Sequence, residues 1–406
     1  MKKIVSVFIV IFCAAACYAR PSSAQEFPDG TAKELFDDGR VKTEKTYAHN
    51  KLNGAFREYY PDGKILSVGT YKDGLLQGLY KSYYSDGTLF VEKNYVNGVQ
   101  HGLAREFFEN GSPKSVETFR YDALEGLCKY FYENGTLKYT LEFTRGQLNG
   151  ESREYGPSGA LTSIIHYRDN ELNGETREFK GDHQLSAVWN YENGQKSGVS
   201  RTFYDNGKDE WVLTFKDGDI SGPGKKFFRS GGPALDAEYS GNQYNGFVKE
   251  YYENAVVKSE CMYKQGQKDG SCREYYPNGK LWLDWSYKAG EKQGLAREYI
   301  ESGVLWMEVT YASGRQNGQM REFYPGGNIK RQWEIVNGIQ AGVAKTFYST
   351  GELSSEQNYV AGKLEGDARI FQQNGNLIYI DTYLGGVKVK RKGFDERGKQ
   401  DFEQNY

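Results

Sequence analysis

Covalent and metal chemistry would have to come from few residues in this chain. Its four histidines, His49, His101, His166 and His183, are scattered, with no His/Cys or His/Glu spacing of a metal site. No nucleophile elbow, phosphate loop or dinucleotide fingerprint occurs. Glu58, Glu106, Glu154, Glu178, Glu250, Glu274, Glu298 and Glu322 recur at one repeat position, beside a row of basic residues. An acid–base pair needs two distinct environments, and a recurring carboxylate is instead a repeated surface feature. The expectation is a protein that catalyses nothing and holds neither metal nor cofactor.

Of five cysteines, Cys13 and Cys17 lie near the N-terminus, whereas Cys261 and Cys272 fall on what read as consecutive strands. The register derived below sets those two opposite each other, so in an oxidising compartment a cross-strand disulfide is open to them, leaving Cys128 free. Two small side chains filling strand positions is the alternative.

The elements that position these residues follow one beat. Gly54, Gly78, Gly102, Gly126 and Gly150 begin a series of anchors spaced by 24 residues that runs to Gly366, and Gly30 extends it backwards. A second glycine follows nine residues after the anchor, replaced only by His183 and Ala255. Tyr or Phe sits seventeen residues after it, with Ile335 the exception. The unit GSCREYYPNGKLWLDWSYKAGEKQ, from Gly270 to Gln293, divides into two strand-like runs separated by PNGK and KAGEKQ. Asn-Gly or Asp-Gly between aromatic runs signals a hairpin, because the turn needs positive φ. The fold expected is all-β: an elongated antiparallel β-hairpin repeat array of about 15 repeats of 24 residues, forming a single-layer twisted sheet of about 30 strands.

Turns centred on Asp62-Gly63 and Gly74-Leu75 set the third residue after each anchor opposite the fourteenth of the repeats on either side. The third is basic in all fifteen units, from Lys33 and Arg57 to Lys345 and Arg369. The fourteenth is often acidic, as in Glu44, Glu92, Asp236, Glu260, Asp284, Glu308 and Glu356. This reads as a salt-bridged stripe, ahead of a positive ladder for phosphate or acidic glycans. The fifth position is aromatic in fourteen of fifteen units, and the sixth usually is too. Ladder packing accounts for most of these rings. The cluster Trp282, Trp285, Trp306 and Trp333, with Tyr275 and Tyr299, is the candidate contact patch for a partner or a sugar.

The pattern G-x-x-R-E-Y-Y-P-N-G-K-L, seen in GAFREYYPDGKIL from Gly54, GSCREYYPNGKLW from Gly270 and GQMREFYPGGNIK from Gly318, resembles the bacterial variant of the MORN repeat, the kind found in antitoxin-like proteins. The resemblance runs from Gly30 to about Gly386. It implies a β-hairpin array acting in protein–protein or surface interactions, sometimes as an antitoxin.

The N-terminus, MKKIVSVFIVIFCAAACYARPSSAQ, has a basic start and an apolar core of 13 residues, Ile4 to Ala16. A membrane span needs about 20 apolar residues, so residues 1–24 read as a signal peptide and 25–29 as a short linker. Ala14-Ala15-Ala16-Cys17 offers a second reading, a lipoprotein signal acylated on Cys17. The tail, 387–406, leaves the register: KVKRK is followed by acidic residues, and Gly398 falls one place short. It reads as a charged cap over the last strand edge, with an anchor to an anionic membrane surface as the alternative. Net charge is -2, and losing Lys2, Lys3 and Arg20 with the leader takes it from -2 to -5. Nucleic-acid binders carry a basic excess, so nucleic acid is not an expected partner. The expectation is an extracytoplasmic protein, with no membrane span after cleavage, that binds or scaffolds a protein partner at the cell envelope. An envelope polysaccharide binder and a periplasmic immunity protein are the alternatives.

Overall fold

The computed structural model describes residues 28–181 and 183–406. The signal segment, Cys13, Cys17 and most of the linker lie outside these. Among the described residues there is no helix, and 39 strands form an open antiparallel sheet of hairpin repeats. The surplus over the expected strand number comes from seven two-residue pieces, such as Leu75–Leu76 before Gly78–Tyr83, and from the two strands of the tail, Val387–Phe394 and Gln400–Asn405. The chain divides into two units, one running to Leu137 and including Phe143–Gly146, the other holding Lys138–Glu142 and Gln147–Tyr406.

Each unit repeats the same two turns. In the first turn Gly63 N–H donates to the Tyr60 carbonyl at 2.9 Å, and Asp62 Oδ1 accepts from Lys64 N–H at 3.0 Å. Within that turn Gly63 alone has positive φ, +89°, which is the three-residue hairpin with a glycine bulge that suits Pro61 ahead of it. The second turn centres on Asp73-Gly74, not on Gly74-Leu75: Lys72 pairs with Leu75, and both turn residues have positive φ, 52° and 88°. That is the two-residue turn matched to strand twist. A bulge then shifts the register by two, so Val68 faces Lys81. The third-to-fourteenth pairing therefore holds, although the turn producing it lies one residue earlier.

The anchor glycine stands in this bulge. Gly54 has φ +126°, and a Cβ there would lie 2.9 Å from Thr46 Cγ2. Both facts exclude larger residues. The buried row lies two residues beyond the anchor: Phe56, Ala104, Cys128, Ser152, Ser200, Val248, Cys272, Met320 and Ala368 are all under 9% exposed.

The tail is a sixteenth, shortened repeat rather than a departure from the array. Val387–Phe394 pairs with Leu377–Leu384, and Gln400–Asn405 pairs with Val387–Phe394. Its basic run is engaged by protein carboxylates. Arg391 reaches both oxygens of buried Asp381, at 2.6 and 2.8 Å, and Lys390 lies 2.7 Å from Glu403. The Arg391 hydrogen bonds hold the Asp381 carboxyl below its ordinary range.

Candidate binding surface

On one face of the sheet the basic row becomes a ladder of ion pairs. Glu44 lies 2.8 Å from Lys33 and 3.8 Å from Arg57, one base on each side. Glu92 bridges Lys81 and Arg105 at 2.8 and 3.3 Å, and Glu308 bridges Arg297 and Arg321 at 3.1 and 3.4 Å. Where the fourteenth residue is apolar, as at Ile164 and Val188, the bases turn elsewhere: Arg153 to Glu151 and Arg177 to Glu175. Hydrogen bonding to Lys33 holds the Glu44 carboxyl below its usual range, and Lys81 does the same for Glu92.

The aromatic rows are also committed internally. At the sixth position the phenols of Tyr60, Tyr84, Tyr252, Tyr276, Tyr324 and Tyr348 each donate to a backbone carbonyl 23 residues on, at 2.8–2.9 Å. At the fifth position Tyr59 donates to Glu44 and Tyr251 to Asp236, at 3.0 and 2.9 Å. Burial, with the Asp236 hydrogen bond second, pushes the Tyr251 phenol up to about 12. Sixteenth-position side chains bind the next repeat as well: Thr46 donates to the Ala55 carbonyl and Asn94 to that of Leu103.

The six residues of the expected contact patch do not form one surface. Side chains alternate across a strand, so Trp282 and Trp285, three apart on Leu281–Lys288, point to opposite faces. Trp282 and Trp306 share one repeat position and are 37% and 38% exposed, with Trp282 lying 5.8 Å from the Tyr276 ring. Trp285 and Trp333 turn to the other face. Trp333 packs on Val309, Met320 and Ile335. The Trp285 ring lies tilted 6.0 Å from that of Tyr311, and Lys292 Nζ sits 2.9 Å from the Trp285 ring centre. Burial lowers the Lys292 pKa. The Tyr275 and Tyr299 carbonyls accept the phenols of Tyr252 and Tyr276.

Cys261 and Cys272 stand directly opposite each other, and their sulfurs are bonded. Cys128 is a buried free thiol. Among the described residues no group of three or more His, Cys, Asp or Glu is placed to hold a metal.

One exposed row was not singled out from the sequence. At the first position after the anchor stand Leu79, Leu103 and Leu127 in the first unit. The second unit carries Val199, Phe247, Leu295 and Val343 there, at 47%, 46%, 41% and 49% exposure, in alternate repeats. First and third positions share a face, since Ala55 pairs with Thr70 and Arg57 with Val68 along one ladder. The apolar side chains therefore lie beside the ion pairs Lys249–Glu260, Arg297–Glu308 and Lys345–Glu356. The signal was available: a lone aliphatic or aromatic residue between a glycine and the buried position, recurring in consecutive repeats of the first unit and in every second repeat of the second.

No curated protein sequence significantly matches the chain. Solved structures with a similar arrangement include the crystal structure of TcdB2-TccC3, at 10% identity over 93% of this chain and 25% of that one, with a TM-score of 0.16. Another is the Photorhabdus luminescens Tc holotoxin pore, at 11% identity over 91% of this chain and 24% of that one, with a TM-score of 0.17. The chain thus spans about a quarter of their length, and likeness at this level supports no conclusion about its role. The family comparison is specific: residues 52–73, 76–97, 100–121, 124–144, 268–289, 292–312, 316–337 and 340–361 each match the MORN repeat variant. With eight matched repeats in one register, and the same hairpin continuing between and beyond them, the chain is a MORN-repeat protein.

Proposed function

We propose that this chain is an exported, non-catalytic repeat protein that binds or scaffolds a protein partner at the cell envelope. The observation that carries the reading is the alternating apolar row Val199, Phe247, Leu295 and Val343, left exposed beside a ladder of ion pairs. The other conspicuous rows, basic and aromatic, commit polar groups to partners within the array, in the same repeat or the next. An apolar stripe with a charged rim is the surface a protein partner covers. Aliphatic side chains offer a sugar ring no flat platform, which favours protein over polysaccharide. Envelope placement rests on the leader-like N-terminus and on the bonded Cys261–Cys272 pair, which suits an oxidising compartment.

Pull-down from envelope extract is the test. With Phe247→Ser/Leu295→Ser, recovery of the partner is expected to fall roughly tenfold or more with an unchanged melting temperature. Undiminished recovery would sink the reading. One observation favours a second reading: Trp282 and Trp306 stand exposed at the same position of adjacent repeats, about 10 Å apart by strand spacing, which suits stacking against sugar rings. A glycan array on which Trp282→Ala/Trp306→Ala abolishes binding, while the serine double variant does not, would favour it.

A further inference from the structure

The two ends of the array present unlike strand edges. Among the described residues, Gly30–Leu35 pairs only with Val41–Ala48, and Gln400–Asn405 only with Val387–Phe394, and every residue of both end strands is exposed. No strand among the described residues lies on the outer edge of either, so each offers a row of N–H and C=O groups for pairing. What those edges fit follows from the repeat.

The first strand is of the anchor kind, with Lys33 in the basic third position. The last strand is of the other kind, once the tail is read as a repeat one residue short. Lys392 faces Glu403 as Arg57 faces Val68, Gly393 faces Phe402 as Glu58 faces Ser67, and Phe394 faces Gln400 as Tyr59 faces Ile65. Gly398 N–H closes the turn on the Asp395 carbonyl at 2.9 Å, as Gly63 does on Tyr60. Glu403 therefore stands in the fourteenth, acidic position.

Inside the array a strand of the last kind is always followed by one of the first kind. Thr43 faces Glu58 there, and Glu44 faces Arg57. We propose that the last strand of one molecule pairs with the first strand of a second copy in this same register, so that copies join head to tail. Phe402 then lies opposite Glu34, Glu403 opposite Lys33, and Gln404 opposite Ala32. Glu403 already lies 2.7 Å from Lys390 and 4.0 Å from Lys392 on its own side. Lys33 supplies the base across the new junction, as Arg57 does for Glu44. The last strand carries Asp401 and Glu403 and no base, so two such strands meeting edge to edge oppose only like charge. A junction between unlike surfaces does not satisfy itself in a pair, so association continues beyond the dimer.

Sedimentation velocity of the exported full chain across a concentration series tests this. The weight-average mass is expected to rise past the dimer as concentration increases. Lys33→Glu alone and Glu403→Lys alone each set like charges across every junction, and each is expected to weaken association about tenfold. Mixed in equal amounts, the two variants can alternate, and every junction of an alternating chain again sets an acidic side chain against a basic one. The mixture therefore regains wild-type association. Circular dichroism of each variant matching wild type assures that the strands persist. A monomer at every concentration, growth that stops at a dimer, or a mixture no better than its components would overturn the proposal.

Discussion

At the scale of single residues, backbone conformation explains more of this sequence than side-chain chemistry does. The ninth-position glycine closes the first turn with positive φ, and where Ala255 takes its place the alanine is held at φ 62°. An L-residue other than glycine is strained in that conformation, by roughly 1–2 kcal/mol. Ala255→Gly is therefore expected to raise stability by about 0.5–1 kcal/mol, after the larger unfolded-state entropy of glycine is subtracted. A urea melt reads this directly, and an unchanged or lower midpoint would refute it. The second turn carries non-glycine residues at positive φ as well, and there hydrogen bonds compensate. Ala289 N–H donates to Asp269 and Ser313 N–H to Gln293, each 20 residues back. Such bonds tie these turns to the turn before them; Ala361, at φ 49°, goes without one, because Ala341 stands 20 residues back.

At the scale of the strand and hairpin, what one repeat supplies is completed by the next. The sixth-position phenol reaches a carbonyl in the following repeat, so its loss is felt at a junction between repeats rather than inside one. Tyr276→Phe removes the 2.9 Å bond to the Tyr299 carbonyl while leaving the ring in place beside Trp282. The expected cost is about 1 kcal/mol, with faster exchange of the amides around Tyr299 and none at distant repeats. A uniform loss of protection across the chain would contradict a local junction role. The sequence displayed this aromatic row clearly, yet its hydrogen bond was hidden, because an acceptor on the main chain leaves no mark on residue type. The buried second position was hidden for another reason. Ala, Ser, Cys and Thr hold it more often than large apolar residues do, so no hydrophobic period announces it.

At the scale of the whole molecule, the ion-pair ladder and the tail make stability depend on pH in a stated direction. Glu44 and Glu92 in the first unit, and Asp381 and Glu403 in the second, all have carboxyls held below their ordinary range, chiefly by hydrogen bonds from basic partners. Groups depressed in the folded state stabilise it fully above their unfolded pKa, roughly 3.9 for Asp and 4.3 for Glu. That contribution disappears as pH falls through the lower folded values. Glu117, which burial pushes up, works the other way but is a single group. The melting temperature is therefore expected to hold between about pH 5 and 7 and to fall progressively below about pH 4. A profile flat down to about pH 2 would show that the ladder adds nothing.

Much of this was fixed by residue spacing alone. A strict 24-residue beat with paired turn signals admits only stacked hairpins, and two turns per beat force the basic third position against the acidic fourteenth. Cys261 and Cys272 come opposite by the same counting. What counting could not decide was which face each ring would take and which polar groups would find partners. Trp282 and Trp285 are close in sequence but parted by the alternation of the strand, and the bulge at each anchor moves the turn without disturbing the pairing it leads to. Those outcomes depend on bulge geometry and on contacts between successive repeats, neither of which exists until the strands lie side by side.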